Sequence, residues 1–219
     1  MIYTMEGTTT QSVTGGCSTI TSMTVLLGTN GTGKTTTLKG ILENSGKRGL
    51  IITPDDREWT EYPITELREG VKSDFLYTGI RRHIWNPKTT MGVLKYFQNG
   101  IIVFDDCRAY LRANTSEDIH QLMIRRRQRG VDIFAVGHGY TEVPPVFFTF
   151  ATDFILFLTR DNIERRKYVI RDFDAVKRKT DEVNAIALGL RSHPKNYHNK
   201  QLAGKRVKDI HYCDHIQNN

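Results

Sequence analysis

Apolar residues in this chain come in short unbroken runs rather than in alternation. Met23–Leu27, Leu50–Thr53, Ile101–Phe104, Val131–Val136 and Asp153–Leu158 are each four to six residues long, and each is followed at once by Gly, Pro or polar residues. A run of that length with no polar face predicts a strand buried on both sides. Between the runs the spacing turns helical. Thr35, Leu38, Ile41 and Leu42 share one face, as do Met91, Val93, Leu94 and Phe97 behind Pro87 in a first turn. Ile119, Leu122 and Met123 line a helix capped by Thr115 or Ser116 and closed at Arg129 by Gly130. The same reading expects a peripheral strand at Gly79–Trp85, a short aromatic helix at Val146–Ala151, a small extra strand at Lys167–Ile170 and a helix at Asp174–Leu188. Arg57–Ser73 is polar without a period and predicts loop with a short helix. Strands alternating with helices define an α/β fold, a mostly parallel sheet with helices on both faces.

In such a sheet, ligands sit beyond the carboxyl ends of the strands. The polar groups directly after the five runs are therefore expected to converge on one edge. They are the glycine loop after Leu27, Asp55 and Asp56, Asp105 and Asp106, His138, and Arg160, Asp161 and Asn162.

The glycine loop is Gly28-Thr29-Asn30-Gly31-Thr32-Gly33-Lys34-Thr35, followed by Thr36, a full match to G-x-x-x-x-G-K-[ST] between a strand and a helix. Wrapping backbone N–H groups around a phosphate needs glycine where φ is positive or a Cβ would clash. The helix that follows adds its N-terminal N–H groups and positive dipole end. Lys34 is placed to reach the β- and γ-phosphate oxygens, and the Thr35 hydroxyl to coordinate Mg²⁺. The motif predicts a nucleoside triphosphate site of the P-loop class.

Asp105 closes the run Ile101–Phe104 in the manner of a Walker B carboxylate, a ligand to Mg²⁺ through water. Asp106 is expected on the other side of the strand, where it would orient or deprotonate an attacking water. His138, between Gly137 and Gly139, is a candidate sensor of the γ-phosphate. Of the run Arg125-Arg126-Arg127-Gln128-Arg129, Arg127 follows Met123 by four and is expected to continue the inner face. One arginine of this set is a candidate finger toward a neighbouring subunit's nucleotide.

Composition narrows the class. No run approaches the roughly 20 apolar residues of a membrane span, and Met1–Ser22 is Thr/Ser/Gly-rich without the layout of a signal peptide. Three scattered cysteines, Cys17, Cys107 and Cys213, fit reduced thiols, and His211-x-Cys213-x-His215 lacks the second ligand pair of a zinc finger. The net charge of +7 is uneven: from Arg160 onward there are 14 Lys+Arg against 8 Asp+Glu. Three segments are expected: a polar N-terminal stretch (1–22), a P-loop ATPase core (23–172) and a basic C-terminal helix and tail (173–219). The basic end fits nucleic acid contact.

The ordered set GTNGTGKT, IIVFDD and RRRQRGVDIFAVGHG resembles the HerA/FtsK superfamily of DNA-pumping ATPases. That group includes the genome-packaging ATPases of membrane-containing viruses and the zonular-occludens-toxin-like proteins of filamentous phages. The usual acidic pair there is Asp-Glu where this chain has Asp105-Asp106, and the usual sensor is Gln where it has His138. The resemblance implies a RecA-like (ASCE) core, ATP and Mg²⁺ as cofactors, and a homo-oligomer, in ring form, acting on DNA. It also implies capsid or virion-membrane proteins as partners, in host cytoplasm or virion. The expected function is ATP-driven packaging of a viral genome. Two others remain beside it: a filamentous-phage or conjugation-type assembly ATPase, and a nucleotide-gated scaffold that does not hydrolyse.

Overall fold

The computed structural model describes residues 21–68, 70–86, 90–110 and 116–192. Most of the expected N-terminal segment, Pro87, Thr115 and the His-rich tail lie outside these residues. In chain order the elements are β1 (Met23–Leu27), α1 (Lys34–Asn44), β2 (Arg48–Thr53), β3 (Ile80–Ile84), α2 (Thr90–Leu94), β4 (Gly100–Phe104) and α3 (Cys107–Tyr110). They continue with α4 (Ser116–Arg129), β5 (Val131–Gly137), α5 (Pro145–Thr149), β6 (Asp153–Leu156) and α6 (Phe173–Ser192). Two 3₁₀ turns, Lys72–Phe75 and Ile163–Arg166, interrupt the loops.

The six strands form one sheet in the order β3-β2-β4-β5-β1-β6, with every pair parallel. The unbroken apolar runs have their reason in the two faces. Val25 and Leu27 of β1 pack with Ile133, Phe104 and the buried sides of α4, α5 and α6, among them Ile119, Phe147 and Val183. Leu26, between them, packs the other way, against Leu38 and Leu42 of α1 and Val103 of β4. Period-2 geometry thus sends alternate residues into two different cores, and the centres of the strands are almost wholly apolar.

The peripheral strand expected at Gly79–Trp85 is β3, at the edge of the sheet. Its outer side is covered rather than open. Thr65 donates its N–H to the Arg82 carbonyl (2.8 Å), and Arg82 donates to the Pro63 carbonyl (3.0 Å), which uses edge groups that would otherwise invite another chain. The extra strand expected at Lys167–Ile170 is not formed. The N–H groups of Lys167, Val169 and Ile170 instead bond back to carbonyls of Glu164 and Arg166, continuing the 3₁₀ turn that Asn162 caps. Ile170 is buried beside exposed Tyr168, so a turn that dips once into the core imitated the alternation of a strand.

Helix α6 packs on the sheet beside β6. Val176, Val183 and Ala187 are buried, the Tyr140 and Thr180 hydroxyls are hydrogen-bonded, and the Thr159 N–H donates to Asn184 Oδ1 at 3.0 Å.

His83 of β3 has a fixed tautomer. The Thr65 carbonyl 3.0 Å from Nδ1 only accepts, so Nδ1 carries the proton; Nε2 then accepts from the Thr90 hydroxyl at 2.9 Å, whose oxygen accepts the Asn86 N–H. Burial pushes the His83 pKa below its ordinary value. The unfolded chain then binds a proton that the folded one refuses. Stability is therefore complete above the ordinary imidazole pKa of about 6.5 and declines as pH falls below it. Denaturant titrations from pH 8 to 5 are expected to show that decline in the wild type and a shallower one in His83→Gln; parallel curves would contradict this assignment.

Candidate nucleotide-binding site

The register of the sheet sets the strand ends side by side. Leu27 of β1 pairs with Gly137 of β5 and Leu156 of β6, while Phe104 of β4 pairs with Ala135 of β5 and Ile52 of β2. One residue further on, Gly28 is flanked by His138 and Phe157, and Asp105 by Thr53 and Val136.

The glycine loop is pinned to both neighbours of β1. Gly28 donates its N–H to the Gly137 carbonyl (3.2 Å), and Thr29 donates to the Leu158 carbonyl (2.8 Å). A Cβ on Gly28 would lie 2.5 Å from Phe157 Cβ, so the close approach of the loop to the strand end requires glycine. Gly31 and Gly33 sit at φ +74° and +100°, which turns the loop N–H groups toward its centre. Thr32 closes the loop with its hydroxyl on the Thr29 carbonyl at 2.7 Å. Lys34 begins α1 buried, and its ammonium donates to the carbonyls of Gly28 (2.5 Å) and Thr29 (3.1 Å). Thr35 and Thr36 follow with exposed side chains, and Asn30 is exposed at the tip. Burial lowers the Lys34 pKa, against the attraction of Asp105, Asp106 and Glu142.

Those carboxylates form the facing wall. Asp105 is buried, and its Oδ2 accepts the indole N–H of Trp59 at 2.5 Å. Glu58 is hydrogen-bonded to it as well. Burial pushes both carboxyls up from the usual carboxylate range. Asp106 lies past the end of β4, at φ +46°, a left-handed conformation that Asp tolerates better than most residues. Its Oδ1 is buried and has no hydrogen-bond partner among the described residues, and the side chain lines a cavity of about 490 Å³ with Asp55, Asp56 and Glu58. An orphaned buried carboxylate oxygen is costly unless a ligand or water completes it. Carboxylate oxygens and a free hydroxyl are the donors that Mg²⁺ takes, so Asp105 and Thr35 fit that ion.

His138 has its backbone fixed on both sides: its N–H donates to Glu142 Oε2 (3.0 Å), and its carbonyl accepts the Thr159 hydroxyl (3.2 Å). Glu142 is held in turn by Arg108 at 3.0 Å. Asp161 ties the loops after β5 and β6 together by accepting both the N–H and the hydroxyl of Thr141, at 2.5 and 2.6 Å. Burial works against the charge on Asp161, but these bonds hold its pKa below the usual carboxylate value.

The arginine run is arranged differently from the expectation. Arg126, seven residues after Ile119, takes the inner face and is 4 % exposed, whereas Arg127 is exposed. The correction follows from 3.6-residue geometry, because Leu122 and Met123 point the buried stripe at 126 rather than 127. The run leads into the start of β5, so Arg127 lies at the end of the sheet opposite the glycine loop and takes no part in its own chain's site.

Sequence reasoning missed Glu58, Trp59 and Glu142. Trp59 adopts φ +57°, strain of order 1–3 kcal/mol for a bulky residue, and no local pattern announces it. The acidic density around Asp55-Asp56-Arg57-Glu58 was the available signal for Glu58.

No family model matches the chain, and no curated protein matches its sequence. Among solved structures, the genome packaging NTPase B204 from Sulfolobus turreted icosahedral virus 2, in complex with AMP, matches 72% of this chain and 86% of that one, with a TM-score of 0.56 and 15% identity. The same protein in complex with AMPPCP matches with a TM-score of 0.54 at 14% identity over the same shares. B204, the DNA-packaging ATPase from Sulfolobus Turreted Icosahedral Virus, gives 0.56 at 13% identity over 75% of this chain and 87% of that one. The fold is that of a P-loop NTPase. Among the described residues no helix is long and apolar enough to cross a membrane.

The Trp59 contact gives a direct test. Trp59→Phe keeps the ring but removes the donor to a buried carboxylate, a loss of about 1–3 kcal/mol. Chemical unfolding is expected to report that loss; an unchanged midpoint would mean Asp105 does not depend on the indole.

Proposed function

We propose that the protein is an ATP-driven DNA translocase of the genome-packaging kind, hydrolysing ATP at the glycine loop and the facing carboxylates in an oligomeric ring. The observation that carries this reading is the opposition of Lys34 to Asp105 and Asp106 at the sheet edge, with Asp106 Oδ1 buried and unpartnered. The two B204 proteins that this fold resembles are named as packaging enzymes, and one was solved with nucleotides.

In this reading Gly28 to Thr36 cradle the triphosphate, and Lys34 exchanges its two loop carbonyls for phosphate oxygens. That exchange releases a desolvated ammonium from weak neutral partners to strong anionic ones. Asp105 and Thr35 would hold Mg²⁺, which when bound would neutralise charge on the phosphates. Asp106 orients the attacking water. His138 touches the γ-phosphate region, and because Gly137 is bonded to Gly28, a shift there passes straight to β5. Arg127 reaches a nucleotide only on another copy, so its role as a finger requires the ring. DNA contact is expected through backbone phosphates, without sequence preference and with strong salt dependence.

ATP turnover measured with increasing duplex and single-stranded DNA, beside the mass of the assembled protein, tests the proposal. Wild type is expected to hydrolyse ATP, faster with DNA, as an oligomer. Lys34→Ala and Asp106→Asn are each expected to lose about 100-fold in turnover, Asp106→Asn with nucleotide binding retained. Wild-type protein that binds ATP without turnover, and that Asp106→Asn leaves unchanged, would instead mark a nucleotide-gated scaffold.

A further inference from the structure

At the opposite end of the sheet from the glycine loop lies a second concavity of about 510 Å³. It is lined by Arg48, Lys72, Lys95, Arg125 and Arg129, with Tyr96 among them. These residues come from four separate stretches of chain, the start of β2, the 3₁₀ turn at Lys72–Phe75, the segment after α2 and the last turns of α4. No carboxylate among the described residues lines the cavity. Among the described residues, none of the five is in an ion pair.

Arg48 is built in. Its guanidinium donates to the carbonyls of Phe75 and Gln98 and lies over the Phe97 ring, which fixes the floor of the cavity. Among the described residues no such hydrogen bond holds the other four: Lys72, Lys95 and Arg125 are exposed, Arg129 is half-buried, and only Lys95 of these lies over a ring, that of Tyr96 at 5.2 Å. Arg125 and Arg129 are four apart on one helix, an arrangement of like charges that costs a few tenths of a kcal/mol. Burial and the nearby Arg125 push the Arg129 pKa below its ordinary value. The folded chain therefore gathers unneutralised positive charge in a concave, partly desolvated place, where an anion gains most.

We infer that this cavity is a phosphodiester-binding site, through which the protein holds the backbone of its nucleic acid. A polyanion with regularly spaced phosphates engages several cations at once. The inference rests on the motor reading for its choice of polyanion. It also relocates the DNA contact: the first 159 residues are nearly neutral in sum, with 17 Lys+Arg and 16 Asp+Glu, but folding separates the signs, leaving acid around the nucleotide and base at the far edge.

The test is fluorescence anisotropy of the full chain with labelled 30-mer duplex and single-stranded DNA over a salt series. Lys95→Ala/Arg125→Ala is compared with Lys167→Ala/Arg178→Ala, a control pair of exposed cations in the basic last quarter. The cavity variant is expected to bind at least about tenfold more weakly, and its slope of log affinity against log salt to be smaller by about 2; the control should change little. ATP affinity should be unchanged in both. Equal losses in the two variants, or no loss in the cavity variant, overturn the site while leaving an ATP-hydrolysing motor intact. A loss confined to the assembled mass, with DNA affinity kept, overturns it in favour of a contact between copies. Cavity-dependent DNA binding by a protein without turnover sustains the site and removes the motor.

Discussion

The parallel register is the constraint on which the rest depends. Because every strand pair runs the same way, all six strands end on one edge, and Gly28, Asp105 and His138 fall within two residues of each other in the ladder. Backbone bonds from Gly28 to Gly137 and from Thr29 to Leu158 then join the loop rigidly to both flanking strands. The side chains add chemistry to a place already fixed by backbone pairing. The same register explains the far edge, where strand starts and helix ends collect Arg48, Arg125 and Arg129.

Desolvation governs the polar groups at the nucleotide edge. Burial lowers Lys34 and raises Asp105 and Glu58, so each charge there depends on a partner. Without a nucleotide the partners are improvised: loop carbonyls for Lys34, an indole and the Glu58 carboxyl for Asp105. Asp106 Oδ1 has none. A bound Mg²⁺–triphosphate would supply stronger counter-charges to these groups, which makes the edge a receptor rather than a completed network.

What the sequence revealed follows the range of the interactions. The central strands were legible because both faces are buried and the runs are mostly apolar, and the glycine loop because its φ demands are local. Trp59 was not, since its left-handed backbone is held by a bond to Asp105, 46 residues away. The Glu142–Arg108 pair, 34 residues apart, and the basic cavity likewise depend on segments brought together only by the sheet. Arg126 and Arg127 were exchanged because a one-residue error in helical phase moves a side chain by about 100°. The turn at Lys167–Ile170 was mistaken for a strand because burial of one residue carried the pattern.

The central claim is that the glycine loop and Asp105 together bind one Mg²⁺–nucleotide. Calorimetric titration of ATP with and without Mg²⁺, on wild type and Asp105→Asn, tests it most directly. The account predicts that Mg²⁺ tightens ATP binding by about tenfold or more in the wild type, about 1.4 kcal/mol, and that Asp105→Asn abolishes most of that gain. An equal Mg²⁺ effect in the two proteins would contradict it.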